Sequence, residues 1–95
     1  MGIAKYEDLM TSIIGIQSRI IGKGIAVRLA EGVKGLNISY DGTVMSCTGD
    51  PAELIEKLVE RYEKIERGVA ITLAKKAIEP IIKENPELKI PDRLR

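Results

Sequence analysis

Seven residues of the chain recur at a fixed offset. Gly24-Ile25-Ala26-Val27-Arg28-Leu29-Ala30 returns as Gly68-Val69-Ala70-Ile71-Thr72-Leu73-Ala74, with four positions identical and two exchanging one β-branched aliphatic for another. Self-similarity of this kind marks a repeated structural unit. With one residue gapped near the first glycines, Leu9, Met10, Ile13, Ile14 and Ile20 align with Leu54, Ile55, Leu58, Val59 and Ile65, and Asp8 aligns with Glu53. Amphipathic helices share an i, i+3, i+4 pattern in any case, so the Gly-to-Ala segment carries most of the weight. Two copies of one helical unit are therefore expected, over about 5–48 and 51–90, in a single domain spanning 1–95. The alanine pairs Ala26/Ala30 and Ala70/Ala74, with Leu29 and Leu73, form the expected packing lines. Small side chains four apart let a facing backbone come close. The two short helices are expected to pack on each other, or each on its own copy in a dimer.

The first helix is expected over about residues 5–21. Its apolar residues fill an arc about 160° wide at 100° per residue, and Arg19 is the only charge between Leu9 and Ile21. That breadth suits a central helix or half of a subunit interface, and a homodimer is expected from it. Gly22-Lys23-Gly24 breaks the helix, since each interior glycine costs about 1 kcal/mol. A short helix follows to about Val33 and ends at Gly35. Residues 36–48 read as a β-hairpin turning at Asp41-Gly42 in a two-residue turn, which would pair Tyr40 with Thr43, Ile38 with Met45 and Leu36 with Cys47. Asp50-Pro51-Ala52-Glu53 is a strong helix start: a side-chain cap, a proline preset at the first position, and a carboxylate in the first turn. The third helix runs to about Glu66 with Leu54, Ile55, Leu58, Val59, Tyr62 and Ile65 inward. Gly68 opens the fourth, which is expected to end or kink before Pro80. Residues 87–95 read as a polar, proline-marked arm. The expected fold is mainly α within the α+β class: two helix–break–helix units joined by a hairpin.

Chemistry is sparse. The chain has no His, one Cys and a net charge of +1. The commonest general base and metal ligand is thus missing, and no phosphate loop, dinucleotide fingerprint or cysteine cluster is present. No catalytic residue, metal or cofactor is assigned, and an enzyme is not expected. Cys47 reads as a small buried hydrophobe opposite Leu36, as free cysteines most often are, with a redox or nucleophilic thiol helped by the start of the third helix just beyond it as the alternative. Gln17 falls inside the apolar arc and aligns with Tyr62. It reads as a core amide bonded to a nearby carbonyl, with a dimer-axis bond or a polar anchor in a ligand pocket as alternatives. Gln17, Tyr40, Cys47 and Tyr62 are the ligand or interface candidates. Glu53, Glu56, Glu60, Glu63 and Glu66 read as a solvated face.

Charge is uneven, with 10 charged residues in 1–50 and 19 in 51–95. The first half is thus expected to be the more buried half or the half that meets a protein partner. Fifteen Ile, few amides and many Lys and Glu lean toward a thermophile. No signal peptide or spanning run is visible, so a cytoplasmic protein with no membrane partner is expected. These features favour a non-catalytic oligomerising interaction module, regulatory or sensory. A nucleic-acid-binding regulator is the alternative, made unlikely by the near-neutral charge and by the apolar short helix. A small-ligand-binding protein is the third reading.

Overall fold

The computed structural model describes residues 2–95, with side chains from residue 6. In chain order it contains α1 (Gly2–Ile21), α2 (Lys23–Glu31), β1 (Leu36–Ile38), β2 (Val44–Cys47), α3 (Pro51–Glu66) and α4 (Gly68–Glu84). A short 3-10 turn, Asp92–Leu94, closes the chain. The expected class holds: two helix–break–helix units flank one antiparallel hairpin.

Each break is a single residue in the left-handed half of backbone space, Gly22 at φ 93° and Arg67 at φ 54°. One residue there reverses the peptide direction enough for a new helix to start at once. Gly22 does so at little steric cost. Arg67 is the one described residue other than glycine at positive φ, which is a strained conformation for a side chain with a Cβ. The second break thus falls at Arg67, one residue before Gly68, which already belongs to α4.

The aligned positions share their burial. Leu9, Met10, Ile13 and Ile14 are buried, as are Leu54, Ile55, Leu58 and Val59. Ala26, Ala30, Ala70 and Ala74 are buried completely, while Leu29 and Leu73 are half-buried. The expected packing of the short helices on one another is not what forms. α2 packs on α1, α3 and β1, whereas α4 packs on α1, α3 and the terminal turn. A one-residue break returns each following helix toward the long helices, so the alanine faces meet those instead. The width of the α1 apolar arc is explained in the same way, since α2, α3, α4 and the hairpin all lie against it.

The third helix begins as expected: the Asp50 side chain accepts a hydrogen bond from the Glu53 amide at 3.2 Å, and Pro51 stands at the first position. The hairpin differs from expectation. Leu36 does face Cys47, but Ile38 faces Val44, with a bulge after Asn37. The turn has three residues, Tyr40-Asp41-Gly42, with Ser39 N donating to Thr43 O at 2.9 Å and Gly42 N to Ser39 O at 3.0 Å. Gly42, at φ 94°, supplies the left-handed third position such loops use. The longer loop shifts the register, so Val44 turns inward and Met45 turns out. The Val44 amide then donates to Thr11 Oγ1 at 2.9 Å, fixing the hairpin to α1.

Other boundaries also moved. α2 ends at Glu31, and Gly35 instead sits at φ 100° in the following turn, where a Cβ would fall 2.5 Å from the Thr48 carbonyl oxygen. α4 continues through Pro80 to Glu84. Pro80 and Lys76, whose carbonyl loses its intrahelical donor, are both on the exposed face of the helix, where solvent is at hand to replace it. The terminal arm is docked. Leu88, Ile90 and Leu94 are buried, the Lys89 amide donates to Tyr6 Oη at 2.7 Å, and Arg93 bridges Glu56 at 2.5 Å and Glu63 at 2.8 Å on α3. Buried residues divide evenly between the two halves of the described chain, so the charge-poor first half is not the more buried one.

Arg67→Gly should stabilise the protein by about 1 kcal/mol in urea denaturation, because it releases a side chain from the left-handed region against the entropy glycine adds to the unfolded chain. An unchanged or lowered midpoint would show that the second break carries no strain.

Candidate functional site

Two buried polar contacts bring the breaks to the same end of the molecule. The Tyr62 hydroxyl, fully buried on α3, donates to the Ala26 carbonyl oxygen in the first turn of α2 at 2.8 Å. Gln17, the one buried polar or charged residue among those described, lies one turn before the α1 break. With its amide nitrogen turned to α3, it donates to Glu66 Oε1 at 3.0 Å, at the end of that helix. The opposite orientation would set oxygen against oxygen. Burial raises the Glu66 carboxyl above the usual carboxylate range. Burial, and secondarily the Glu66 charge, raises the Tyr62 phenol so that it remains a neutral donor.

Around this polar pair the end of the molecule is apolar and exposed. Ile20 and Ile25 flank the first break, Ile65 and Val69 the second, and all four are between 52% and 58% exposed. Ile65 was expected inward; it falls in the last turn of α3, beyond the reach of the neighbouring helices. Through residues 15–30 and 64–78 the charged residues are Arg19, Lys23, Arg28, Lys64, Arg67, Lys75 and Lys76, with Glu66 the lone acid, turned inward to Gln17. None of these cations forms a salt bridge among the described residues. The near-neutral net charge therefore averages over a polarised surface. The N-terminal end of α3, with Asp50 and Glu53, lies about 24 Å away along a helix of 16 residues.

The four sequence candidates do not converge. Gln17 and Tyr62 meet beneath the break end, with their polar groups already satisfied within the chain. Tyr40 is 91% exposed at the hairpin tip. That tip lies over Ile14 and Val27, within 3.3–3.5 Å of a Cβ placed on Gly42. Asp41 beside it is lowered to about 2, chiefly by hydrogen bonds from Ser39 and Thr43, with a smaller contribution from the Lys23 charge. Tyr40 therefore flanks the break end from the hairpin side. Cys47 lies elsewhere, half-buried opposite Leu36. Burial, and then the nearby Glu7 charge, raises its thiol, so it stays protonated at neutral pH. A thiol in that state is a poor nucleophile.

Sequence reasoning placed Glu66 on a solvated face, whereas it is half-buried against Gln17, and it gave Arg93 no role. Glu66 follows Tyr62 by four residues and so continues the inward stripe of α3, a signal that its acidic character masked. Arg93 carried no signal, because only docking of the arm brings it to Glu56 and Glu63. Two clefts lie apart from the four exposed aliphatics of the break end. One, about 380 Å³, lies between α4 and the arm, with Ile78, Ile82, Leu88 and Ile90 in its lining. Two of its cations are already engaged, Lys83 with Glu79 and Arg95 with Asp92, each at 3.8 Å. The other, about 330 Å³, is lined by Lys34, Lys57, Arg61 and Lys64 with Glu60 and Gly32. No group of three metal-ligating side chains occurs among the described residues, and no described helix is long and apolar enough to cross a membrane. In comparisons with known proteins, no family model, curated sequence or solved structure matches the chain.

Tyr62→Phe should cost about 1–2 kcal/mol, since the buried Ala26 carbonyl loses its side-chain donor. A cost under 0.3 kcal/mol would remove that bond from the account of how the breaks are tied. Glu66 should also leave a pH signature. An acid whose folded-state pKa is raised takes up a proton on folding, so its stability contribution is fully present below about pH 4 and is lost as pH rises through the raised value. Glu66→Gln should therefore raise Tm at pH 7 and leave it unchanged below about pH 4. Equal shifts at both pH values would contradict the assignment.

Proposed function

We propose that this protein is a non-catalytic interaction module that docks through the end at which its two helix breaks meet. One observation carries the reading: four half-exposed aliphatics, two from each unit, coincide with a rim of unpaired cations. Isolated surface aliphatics are ordinary, but a set brought together from four helix ends with a charged rim marks an interaction surface. Self-association was expected from the breadth of the α1 arc, and that arc is now covered within one chain. A two-fold pair through the break end would set Arg19, Lys23, Lys64 and Arg67 against their own copies. The surface accordingly suits a partner that is apolar and negatively charged.

The Lys34, Lys57, Arg61 and Lys64 cleft favours a second reading, a regulator that binds nucleic-acid phosphates. Retention on duplex DNA that falls steeply with salt would support it, through counterion release. Exposed aliphatics add nothing to phosphate binding, so the first reading uses more of the surface.

Photo-crosslinking side chains placed singly at positions 20, 65 and 53 separate the possibilities in cells. Adducts are expected at 20 and 65 and absent at 53. Equal yields at all three positions, or none at any, would contradict docking through the break end.

A further inference from the structure

We infer that the partner of the break end is an anionic lipid surface, onto which the protein docks without crossing it. The inference rests on the interaction reading above and names the partner. Its first support is the chemistry of the surface. Ile20, Ile25, Ile65 and Val69 are exposed β-branched aliphatics at helix ends, with Arg19, Lys23, Lys64 and Arg67 in the same turns and Arg28 one turn behind. Aliphatics that enter the headgroup boundary while cations remain among anionic headgroups form a two-signal anchor. Each cation near such a surface adds to the attraction, which decays within a Debye length. Lys and Arg stems can lie along the apolar residues with their charges held outward, which suits this rim.

The second support is shape. A helical peptide partner docks by anchors at i, i+3 and i+4 laid into a groove. The clefts described above lie beside α4 and between α2 and α3, and none of the four aliphatics lines them. A third, about 330 Å³, lined by Ser12, Gly15, Ile16, Arg19 and Ala77, also excludes the four. A fluid surface conforms to projecting side chains and needs no groove. A second copy would oppose like charges.

Two further features orient the molecule. Tyr40, beside the break end and almost wholly exposed, is the residue type that collects at the membrane–water interface. The acidic N-terminal end of α3 would face away from the lipid, so repulsion of those carboxylates is small. Of the acids at this end, Glu66 is half-buried and turned to Gln17, Glu63 in the same turn is engaged by Arg93, and Asp41 is held at the hairpin tip by Ser39 and Thr43. The sequence-based expectation of no membrane partner rested on the lack of a signal peptide or spanning run, and peripheral docking needs neither of those segments.

The test is co-sedimentation of the intact protein with large unilamellar vesicles, either phosphatidylcholine alone or phosphatidylcholine with one third phosphatidylserine. Binding to the anionic vesicles should exceed that to the neutral ones by at least about tenfold at 0.1 M salt, and most of the excess should disappear at 0.5 M. Ile20→Asp with Ile65→Asp, and separately Lys23→Glu with Lys64→Glu, should each lower the anionic partition by about tenfold or more. Both pairs substitute exposed residues, and unchanged circular dichroism and Tm confirm folding. Equal partition into the two vesicle types, or binding that neither pair alters, overturns the lipid assignment. Parallel arms use sedimentation velocity and an acidic amphipathic helical peptide. If vesicles fail while either of those associations is lost in the same variants, the break end is an interaction surface for protein and only the lipid assignment falls. If the variants change no association of any kind, both readings fall.

Discussion

The buried hydrogen bond from Tyr62 to the Ala26 carbonyl is the contact on which the rest of the architecture depends. It joins the last turns of α3 to the first turn of α2 at a place where neither group can reach water. A buried hydroxyl demands a partner, and the second lone pair of the Ala26 carbonyl supplies it, so their meeting fixes one unit against the other. The Gln17–Glu66 contact one turn away has the same effect between α1 and α3. With both contacts made, the two breaks must lie at one end. The aliphatics that flank them are then exposed together, since no further helix lies beyond that end to cover them.

This arrangement explains how a chain of nearly zero net charge can present a polarised surface. α1 and α3 run toward the break end and α2 and α4 run away from it, so residues near each break collect there whatever their distance in sequence. The local charges at those positions are almost all positive. Most of the acids lie elsewhere, near the starts of α1 and α3, along α3, towards the ends of α2 and α4 and in the arm, and Arg93 engages two of those on α3, Glu56 and Glu63. Charge complementarity affects which partners can approach and how fast far more than it affects folding stability. On the proposed reading, this polarity serves recognition.

Much of the fold was legible in the sequence because local rules decided it. Asp50 and Pro51 fix the start of α3, Gly22 permits the first break, and the apolar periodicity of residues 9–14 and 54–59 fixes which faces are buried. Errors arose where tertiary context overrode a local rule. Asp41-Gly42 has the composition of a two-residue turn, but Gly42 packs over Ile14 and Val27, and the three-residue loop that results turns Val44 inward. Pro80 remains inside a helix because its face is wet. The arm read as polar, yet Leu88, Ile90 and Leu94 find the core once α4 is in place. The candidate site was partly legible: Gln17 and Tyr62 stood out as polar groups within apolar stripes, and both lie beneath the break end. The exposed aliphatics did not stand out, because periodicity assigns Ile20 and Ile65 to the inner face and only the finite length of the neighbouring helices leaves them uncovered.

Methyl NMR on anionic nanodiscs carrying a paramagnetic label in the lipid acyl chain is the most direct measurement of the central claim. Broadening confined to the methyl groups of Ile20, Ile25, Ile65 and Val69, with Leu88 and Ile90 in the docked arm unaffected, is the expected result. Broadening spread evenly over the molecule, or centred on the arm, would contradict docking by the break end.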